Sequence, residues 1–307
     1  MTNTHSYKNV AWIDMISPTE DDISNIVKRY SLHPLVGEEL RSNNTLAKLC
    51  VYDEYALIVL TVPTRVNDEG SSKIVDREID FILGKNFMIT SRTTAIDSIE
   101  YFAKILDTNN MLGKDERIEH AGHLFYFLMK RLYQGMIDDI ENIKDALVRA
   151  ESQIFKGNER KMVEVLSMIS RELIDFRQTT RIHRDVWEEM LQSFDKSFFG
   201  RDFTPYVKSI KDEFNKINEL LLNTKELLVD LRETNDSLLD TKQNEIVRIL
   251  TLASFIFLPL TFVASLFTIP GIDVPMTTEK WHWFAIVGIM IIISVFTVFK
   301  FKKMNWM

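Results

Sequence analysis

Residues 243–307, at the end of this chain of 307 residues, read QNEIVRILTLASFIFLPLTFVASLFTIPGIDVPMTTEKWHWFAIVGIMIIISVFTVFKFKKMNWM. Asp, Glu, Lys and Arg are absent from residues 249–269 and again from residues 281–299. Each run is about as long as the roughly 20 apolar residues that a helix needs to cross the hydrocarbon core of a bilayer. The sequence therefore predicts a hairpin of two membrane-spanning helices.

Basic residues around the two runs predict how the hairpin is oriented. The linker between the runs, residues 270–280, is too short to form a domain, so both outer flanks should emerge on the same side of the membrane. The linker has only Lys280, whereas the flanks carry Lys242, Arg248, Lys300, Lys302 and Lys303. Because basic residues are enriched on the cytoplasmic side, we expect both termini to be cytoplasmic and the hairpin to lie in the inner (plasma) membrane, surrounded by lipid.

Two helices enclose no aqueous path, so ions could cross here only if several copies surrounded a common axis. The first run suits the wall of such a path, because polar side chains recur along it: Asn244 just before it, then Thr251, Ser254, Thr261 and Ser265. The second run has only Ser294 and Thr297, which suits a helix that faces lipid. The alternative is that these hydroxyls merely bond back to carbonyls of their own helix, so the pattern alone leaves the pore open.

Composition limits the other functions. The formal charge of −7 and the pI near 5.5 argue against nucleic acid as a partner and allow a surface that gathers cations. Cys50 is the only cysteine, which excludes an intrachain disulfide and a site built from several thiolates. The sequence has no phosphate-binding glycine loop and no nucleophile with an evident base. We therefore expect no enzyme activity and no permanently bound cofactor.

The N-terminal part mixes strands and helices. Short apolar runs predict strands at residues 10–16, 48–51, 56–62, 78–83 and 87–90. Ser17 and Pro18, followed by acidic residues, predict the start of a helix that runs to about residue 30, and a short second helix carries Glu38 and Glu39. Helical spacing returns at residues 95–106. This mixture predicts an α/β or α+β domain over residues 1–115.

Beyond that domain the pattern is helical. Apolar residues recur at steps of three and four over residues 118–153 and 159–194, which predicts an antiparallel helical hairpin within residues 116–204. Pro205 then opens a third helix, which would be about 95 Å long if it continued to residue 269. Its heptad-like seam consists of Val207, Ile210, Phe214, Ile217, Leu221, Thr224, Leu228, Leu231, Asn235 and Leu238. Such a seam suits a bundle of several copies, but it could also pack on the preceding hairpin of the same chain.

Several segments of the chain resemble the CorA family of divalent metal-ion transporters, which carry magnesium, cobalt or zinc. The membrane part TKQNEIVRILTLASFIFLPLTFVASLF is similar to that family, and VAWIDM, SLHPLVGEEL, VYDEYALIVLTVP and IDFILGKNFMITSR follow the family's order and spacing. The resemblance covers essentially the whole chain. It implies a funnel-shaped homopentamer with a cytoplasmic domain, a stalk helix over residues 205–269 that lines the pore, an outer loop at residues 270–280, a second membrane helix at residues 281–300 and a basic tail at residues 301–307.

The resemblance also implies roles for individual residues. Asn244 matches a ring at the cytoplasmic end of the pore, Thr251 matches a polar pore-lining position, and Leu250 and Leu258 match apolar constrictions that gate by dewetting. Pro259 matches a proline that leaves one carbonyl without its donor, so that the carbonyl can turn toward the ion path. The remaining polar residues expected along the pore are Thr261 and Ser265.

Two positions depart from the family pattern. The family ends its pore helix with Gly-Met-Asn, where this chain has Thr268, Ile269 and Pro270, and a proline offers no side-chain amide to a hydrated ion. Asp273 is the remaining candidate at the outer entrance, although an ordinary acidic turn residue would also explain it. Ser209 stands where the family has a magnesium-sensing aspartate.

Few other residues are candidates for a metal site. Asp97 and Asp212 are the remaining candidates for carboxylate ligands between subunits, and such carboxylates suit magnesium. His120 and His123 have a spacing that can hold zinc, but without a third ligand nearby we interpret them as structural.

Three functions are consistent with these patterns. The first is a pentameric pore for Mg²⁺ or a similar divalent cation such as Co²⁺ or Ni²⁺, with selectivity or gating altered by the lost Gly-Met-Asn. The second is a zinc transporter of the related branch, in which Ile269 fits the motif and Pro270 does not. The third is a membrane scaffold or sensor that keeps the fold without conducting ions.

Overall fold

The apolar runs of the N-terminal part form one sheet, as the sequence predicts. The structure is a computed structural model that describes residues 2–42, 47–68, 71–112, 118–193, 199–266 and 280–303. It divides into two compact units, Met1–Arg232 and Glu233–Met307. The strands are β1 (Thr2–Tyr7), β2 (Val10–Ile16), β3 (Lys48–Val51), β4 (Tyr55–Asp68), β5 (Ser71–Gly84) and β6 (Phe87–Arg92).

The sheet is mixed, with strand order β1-β2-β6-β5-β4-β3. Strands β2 and β6 are parallel, and the other neighbouring pairs are antiparallel. Helices α1 (Glu20–Arg29) and α2 (Pro34–Glu39) follow β2. The Thr19 hydroxyl accepts from the Asp22 backbone N–H, and the Asp22 carboxylate accepts from that of Thr19, so α1 begins with a complete capping box.

Strand β1 and the outer part of the β4–β5 hairpin lie beyond the predicted strands. Their residues are mostly polar, so no apolar alternation marks them in the sequence. Strand β1 is at the edge of the sheet and pairs from Thr2 opposite Met15 to Tyr7 opposite Val10. Pairing in the hairpin continues as far as Asp68 opposite Ser71. A neighbouring strand, rather than local composition, extends these elements.

The two faces of the sheet are covered by different helices. On one face, α1 and α2 bury side chains such as Ile23, Ile26 and Val36 against Ile13, Met15, Leu57, Val59, Ile82 and Ile89 of the strands. On the other face, the Trp12 ring lies 5.6 Å from that of Phe102, and the Phe81 ring lies 5.3 Å from that of Phe125. The second pair joins β5 to α4 (Ala121–Phe155), and the first joins β2 to α3 (Asp97–Leu112).

A buried polar network spans the parallel pair β2 and β6. The Thr90 hydroxyl donates to Asp14 Oδ1 over 2.6 Å, and Arg92 donates to Asp14 Oδ2 over 2.8 Å. Trp12 Nε1 donates to the same threonine hydroxyl over 3.0 Å. Because a shift of one residue would turn these side chains to the opposite face, the network holds β2 in register with β6.

The remaining helices are α5 (Glu159–Arg181), α6 (His183–Ser193), α7 (Thr204–Leu266) and α8 (Lys280–Lys303). The predicted single helix over residues 159–194 is wrong in one respect, because the structure breaks it at Ile182. No Gly or Pro marks this break in the sequence. Its cause is tertiary: His183 is fully buried, and its Nε2 donates to the Thr61 carbonyl over 2.8 Å.

His183 also belongs to a chain of buried hydrogen bonds. Trp187 Nε1 donates to the Tyr133 hydroxyl over 2.7 Å, and that hydroxyl lies 3.1 Å from His183 Nδ1. Since a carbonyl can only accept, Nε2 carries the proton and Nδ1 accepts from Tyr133. Burial lowers the pKa of His183 to about 4, although its hydrogen bond to the Thr61 carbonyl opposes the shift. The imidazole is therefore neutral, and it joins α6 to β4 and α4.

We predict that His183 makes the protein less stable as the pH falls from about 6.5 to about 4. In the unfolded chain the imidazole takes up a proton near pH 6.5, whereas in the folded chain its pKa is about 4. The stabilisation is therefore complete above pH 6.5 and is lost as the pH falls through the folded pKa. We expect His183→Gln to be less stable than the parent at pH 7. Between pH 7 and pH 4.5 the variant should lose about 2 kcal/mol less of its free energy of unfolding than the parent does.

Urea unfolding of the full-length protein in detergent, followed by far-ultraviolet circular dichroism at both pH values, measures this difference. A variant that loses as much stability as the parent over this range would show that His183 is not the responsible group.

Candidate pore-lining surface

The first part of α7 is buried within its own unit. The side chains of the predicted seam from Val207 to Leu231 are all buried, including Thr224. The Phe214 ring lies 6.1 Å from the His183 ring, and Arg232 donates to the Leu166 carbonyl over 3.3 Å. Of the two possibilities for the seam, the structure therefore shows the intramolecular one for residues 207–231. The seam residues of this stretch are therefore not free to pack on another copy.

The second part of α7 has the opposite character. Apolar side chains from Ile246 onwards are largely exposed, with 67% of Leu250 and 71% of Leu258 accessible. Within the described part of the chain, this is the one helix that is long and apolar enough to cross a membrane, by length and composition. Its apolar stretch is almost wholly uncovered, unlike the core helix of a soluble protein. Lipid, other copies of the chain, or both must cover this surface.

One side of this part of α7 is turned toward α8. The Phe255 ring lies 5.5 Å from the Phe301 ring of α8. Near it on the helix surface are the less exposed residues Leu252, Ile256 and Val263. On α8, Ser294 and Thr297 are half-buried as well. The two hydroxyl residues of the second apolar run therefore do not lie on its fully exposed side.

The polar residues of α7 lie on the side away from α8. Seven residues follow one another at alternating steps of three and four, and we call them the hydroxyl stripe: Asn244, Val247, Thr251, Ser254, Leu258, Thr261 and Ser265. Residues at this spacing share one face of an α-helix. At 100° per residue, the centre of the stripe lies roughly opposite Leu252, Ile256 and Val263. All members are exposed except Thr251, which is half-exposed.

The hydroxyl groups of the stripe donate to carbonyls of their own helix. The donor–acceptor distances are 2.7 Å for Thr251 to Val247, 2.9 Å for Ser254 to Leu250, 2.8 Å for Thr261 to Phe257 and 2.8 Å for Ser265 to Thr261. Ser294 and Thr297 of α8 do the same, over 3.0 and 2.8 Å. Hydroxyl groups thus donate to carbonyls of their own helix in both α7 and α8. The hydroxyl residues of the stripe differ from Ser294 and Thr297 in sharing one exposed face of the helix. A hydroxyl that donates its proton in this way still accepts hydrogen bonds through its oxygen.

An acceptor surface of this kind matches the outside of a hydrated cation. Water bound to a metal ion points its oxygen at the metal, so its hydrogens face outward as donors. The stripe offers side-chain oxygens at Asn244, Thr251, Ser254, Thr261 and Ser265, separated by the apolar Val247 and Leu258. It carries no acidic or basic residue. The stripe can therefore contact a hydrated ion without binding it as tightly as a carboxylate would.

The structure brings most of the predicted pore residues together. Asn244, Thr251, Leu258, Thr261 and Ser265 share the stripe, whereas Leu250 lies at its flank. Val247 was not predicted, although its spacing between Asn244 and Thr251 identifies it.

Pro259 lies on the α8 side. Proline has no backbone N–H, so the Phe255 carbonyl lacks the donor that residue 259 would otherwise supply along the helix axis. That this carbonyl turns toward the ion path remains a prediction from the sequence.

The predicted outer entrance lies outside the described residues. This applies to Thr268, Ile269, Pro270 and Asp273, which remain predictions from the sequence alone.

The predicted metal ligands of the first unit are surface residues. Asp97 is the exposed first residue of α3 and lines a cavity of about 530 Å³ together with Asp138 and Asp139. Asp212 is exposed on α7 and does not line that cavity. Ser209 Oγ lies 3.3 Å from the Tyr126 hydroxyl. Among the described residues, no three His, Cys, Asp or Glu side chains are grouped to hold a metal. A metal role for Asp97 and Asp212 remains a prediction.

His120 and His123 have structural roles. His120 caps α4 by accepting from the Gly122 backbone N–H over 3.1 Å, and its ring stacks on that of His123 at 4.0 Å. Burial, together with the charges of His123 and Lys85, lowers the pKa of His120 to about 4. His123 Nδ1 accepts from the Glu119 N–H over 3.3 Å. Because both rings serve as acceptors and pack on each other, the structural interpretation of this pair is the better one.

Comparison with known proteins points to one family. Residues 7–303 match the family model described as CorA-like Mg²⁺ transporter protein. The cobalt/magnesium transport protein CorA of Thermotoga maritima is 23% identical over 297 residues, which cover 96% of this chain and 83% of that protein.

Solved structures share the fold. The complete structure of the CorA magnesium transporter from Methanocaldococcus jannaschii matches with a TM-score of 0.83 and 16% identity, over 99% of this chain and 94% of that one. The ZntB cytoplasmic domain from Vibrio parahaemolyticus matches with a TM-score of 0.61 and 11% identity, over 76% of this chain and 90% of that domain.

The two sides of the hairpin should differ in their access to water. We predict that Ag⁺ reacts with Ser254→Cys, on the stripe, and not with Ser294→Cys, on α8, when each is combined with Cys50→Ser in liposomes. The two serines are matched, because each is small and donates to a carbonyl of its own helix, over 2.9 and 3.0 Å. Titration of the remaining thiols after denaturation measures the reaction. Equal protection of both positions would place the stripe against lipid or protein.

Proposed function

Because this chain belongs to the family of CorA-like Mg²⁺ transporters, whose members are transporters rather than enzymes, we propose that it carries divalent metal cations across a membrane. The path in this proposal is a pore on the axis of a homo-oligomer, and we propose a homopentamer because the family resemblance implies one. The hydroxyl stripe supports this proposal best, since polar side chains are concentrated on the one side of α7 that is turned away from α8.

The stripe requires several copies of the chain. A single hairpin presents its polar face to acyl chains, where the oxygens of Thr251, Ser254, Thr261 and Ser265 find no donors outside their own helix. A ring of copies turns these faces toward one another and encloses water. The apolar residues on the outside, such as Phe296 and Phe299 of α8, then contact lipid. A ring of copies thus explains both features, because it shields the stripe from lipid and leaves the apolar side of α8 in contact with lipid.

Ions cross this pore with much of their hydration shell. In a ring, each hydroxyl position of the stripe supplies one oxygen per copy to the waters around the ion. Between these polar rings, Val247 and Leu258 form apolar rings, and narrow apolar rings close a pore by expelling water. Asp240 continues the spacing of the stripe one turn before Asn244 and is exposed. Its carboxylates concentrate dications at the cytoplasmic end without binding them inside the pore.

The orientation follows from the charges around the hairpin. The unit Met1–Arg232 lies in the cytoplasm, and the chain crosses the inner membrane twice, in α7 and in α8. Lys300, Lys302 and Lys303 in the last turn of α8 then face the cytoplasm, as basic residues next to membrane helices usually do.

The outer entrance sets selectivity. Thr268, Ile269 and Pro270 replace Gly-Met-Asn, so the amide that would contact a hydrated ion is missing, and Asp273 follows three residues later in the sequence as a candidate anionic group. We therefore propose that discrimination among Mg²⁺, Co²⁺, Ni²⁺ and Zn²⁺ differs from that of relatives with the asparagine.

A pair of matched substitutions tests the pore. We predict that Thr261→Val lowers Mg²⁺ flux into proteoliposomes about fivefold or more, since each copy loses an acceptor for the waters of the ion, worth about 1 kcal/mol. Thr297→Val removes an equivalent hydroxyl, because both threonines donate to their own helix over 2.8 Å. It should leave flux unchanged. If the two variants conduct Mg²⁺ equally well, the stripe is not the ion path. If the parent protein moves none of Mg²⁺, Co²⁺, Ni²⁺ and Zn²⁺, it is a non-conducting scaffold.

A second substitution tests the entrance. Changing Thr268→Gly, Ile269→Met and Pro270→Asn together restores the family motif, and we expect Mg²⁺ flux to rise relative to Co²⁺, Ni²⁺ and Zn²⁺. The ratio of fluxes under the same imposed gradient is the measurement, with Thr268→Gly alone as the control. An unchanged ratio would move the selective step to the rings at Val247 and Leu258.

A further inference from the structure

A polar cavity of about 270 Å³ lies between the sheet and helices α1 and α2. It is separate from the hydroxyl stripe and from the cavity that Asp97 lines. Its polar residues come mainly from the start of α1, from the segment after α2 and from strands β5 and β6, and they include Glu20, Arg41, Glu78, Asp80, Ser91 and Arg92. Two acidic residues, Glu78 and Asp80, are two positions apart on β5 and therefore point to the same face of the sheet.

Asp80 is buried without a partner for one of its oxygens. The residue is 5% exposed, and its Oδ1 accepts no hydrogen bond from any residue that the structure describes. Asp14, the other buried aspartate of the sheet, is different, because Thr90 and Arg92 donate to its two oxygens. An ionised carboxylate in the position of Asp80 is therefore strongly unfavourable unless something else compensates its charge.

The basic side chains near Asp80 are engaged with other carboxylates. Arg41 Nε contacts Glu20 over 2.6 Å, and Lys48 Nζ contacts Glu39 over 2.5 Å. The Arg92 guanidinium binds Asp14, on the other face of the sheet from Ser91 and Asp80. Each of these three basic side chains therefore forms its ion pair with a carboxylate other than that of Asp80.

The electrostatic environment of Asp80 agrees with this shortage. Burial raises the pKa of Asp80 well above its ordinary value of 3.8. The negative charges of Glu78 and Glu39 raise it further, and only Lys48 opposes them. These causes all disfavour the charged form of the carboxyl group, and a bound cation would offset them.

We propose that this cavity binds a divalent cation, with the carboxylate of Asp80 as its principal ligand and Glu78 beside it. Two carboxylates balance the charge of one such ion, whereas a monovalent ion would leave one negative charge buried. The cavity holds about nine waters at roughly 30 Å³ each, so a cation can keep several of its own. Magnesium binds in this way, through one or two carboxylates and retained waters. The site lies within one chain and does not rest on the proposed transport.

Counting bound Mn²⁺ tests the site directly. Mn²⁺ serves as the probe because the electron paramagnetic resonance signal of the free ion can be titrated in the presence of the full-length protein in detergent. We expect the parent to bind one more Mn²⁺ per chain than Asp80→Asn, and we expect Mg²⁺ to displace that ion. Asp145→Asn is the control, since Asp145 is an exposed acid of α4 that does not line this cavity, and this variant should bind as many ions as the parent.

Equal binding by the parent and Asp80→Asn would overturn the proposal. Loss of an ion in Asp145→Asn as well would assign that ion to surface carboxylates and would also contradict the proposal. The asparagine has the shape of the protonated acid, so in EDTA the variant should melt at or above the parent's temperature.

Addition of Mg²⁺ should raise the melting temperature of the parent by about 5 °C and leave that of Asp80→Asn unchanged. Should Asp80→Asn fail to fold, the half-buried Glu78 gives a second test. Glu78→Gln should weaken Mn²⁺ binding at this site about tenfold, and an unchanged affinity would contradict the proposal.

Discussion

An apolar helix surface cannot remain in water, and this constraint acts on only one part of α7. Up to Leu231 the apolar seam of the helix is buried within its own unit, with contacts such as that between Phe214 and His183. From Ile246 onwards the apolar side chains are exposed. A single helix thus combines a stretch that the chain satisfies by itself with a stretch that needs other molecules around it. The hydroxyl stripe indicates which molecules contact which face of this stretch, since the face that carries the stripe suits water and the other faces suit lipid.

Most of the architecture could be predicted from the sequence, because it follows from local composition. Strands β2 and β3 have the predicted limits, and α1 begins close to the predicted start, although its capping hydroxyl belongs to Thr19 and not to Ser17. The elements that could not be predicted depend on distant partners. Strand β1 is polar and exists because β2 pairs with it. The break at Ile182 has no local signal and follows from the hydrogen bond between His183 and Thr61.

In the candidate site, too, the features set by local sequence could be predicted and the features set by distant contacts could not. The spacing of Thr251, Ser254, Thr261 and Ser265 in the sequence is enough to place them on one face of a helix. Which face meets α8 could not be predicted, because it depends on a contact between distant residues, Phe255 and Phe301. For the same reason the seam of α7 was ambiguous between packing within and between copies. The lack of a partner for one oxygen of Asp80 could not be predicted. In the sequence, Asp80 and Asp14 are both acids flanked by apolar residues, and only the structure shows that Asp14 is paired with Arg92.

The central claim is that the hydroxyl stripe surrounds a shared water-filled axis. A cryo-electron microscopy map of the full-length protein in lipid nanodiscs tests it most directly, because the map shows the number of copies and the environment of each face of α7. The claim predicts a closed ring in which Thr251, Ser254 and Thr261 of every copy point to the axis, with α8 outside and in contact with lipid. A single hairpin, or a ring in which acyl chains cover Thr251 and Leu258, would contradict it.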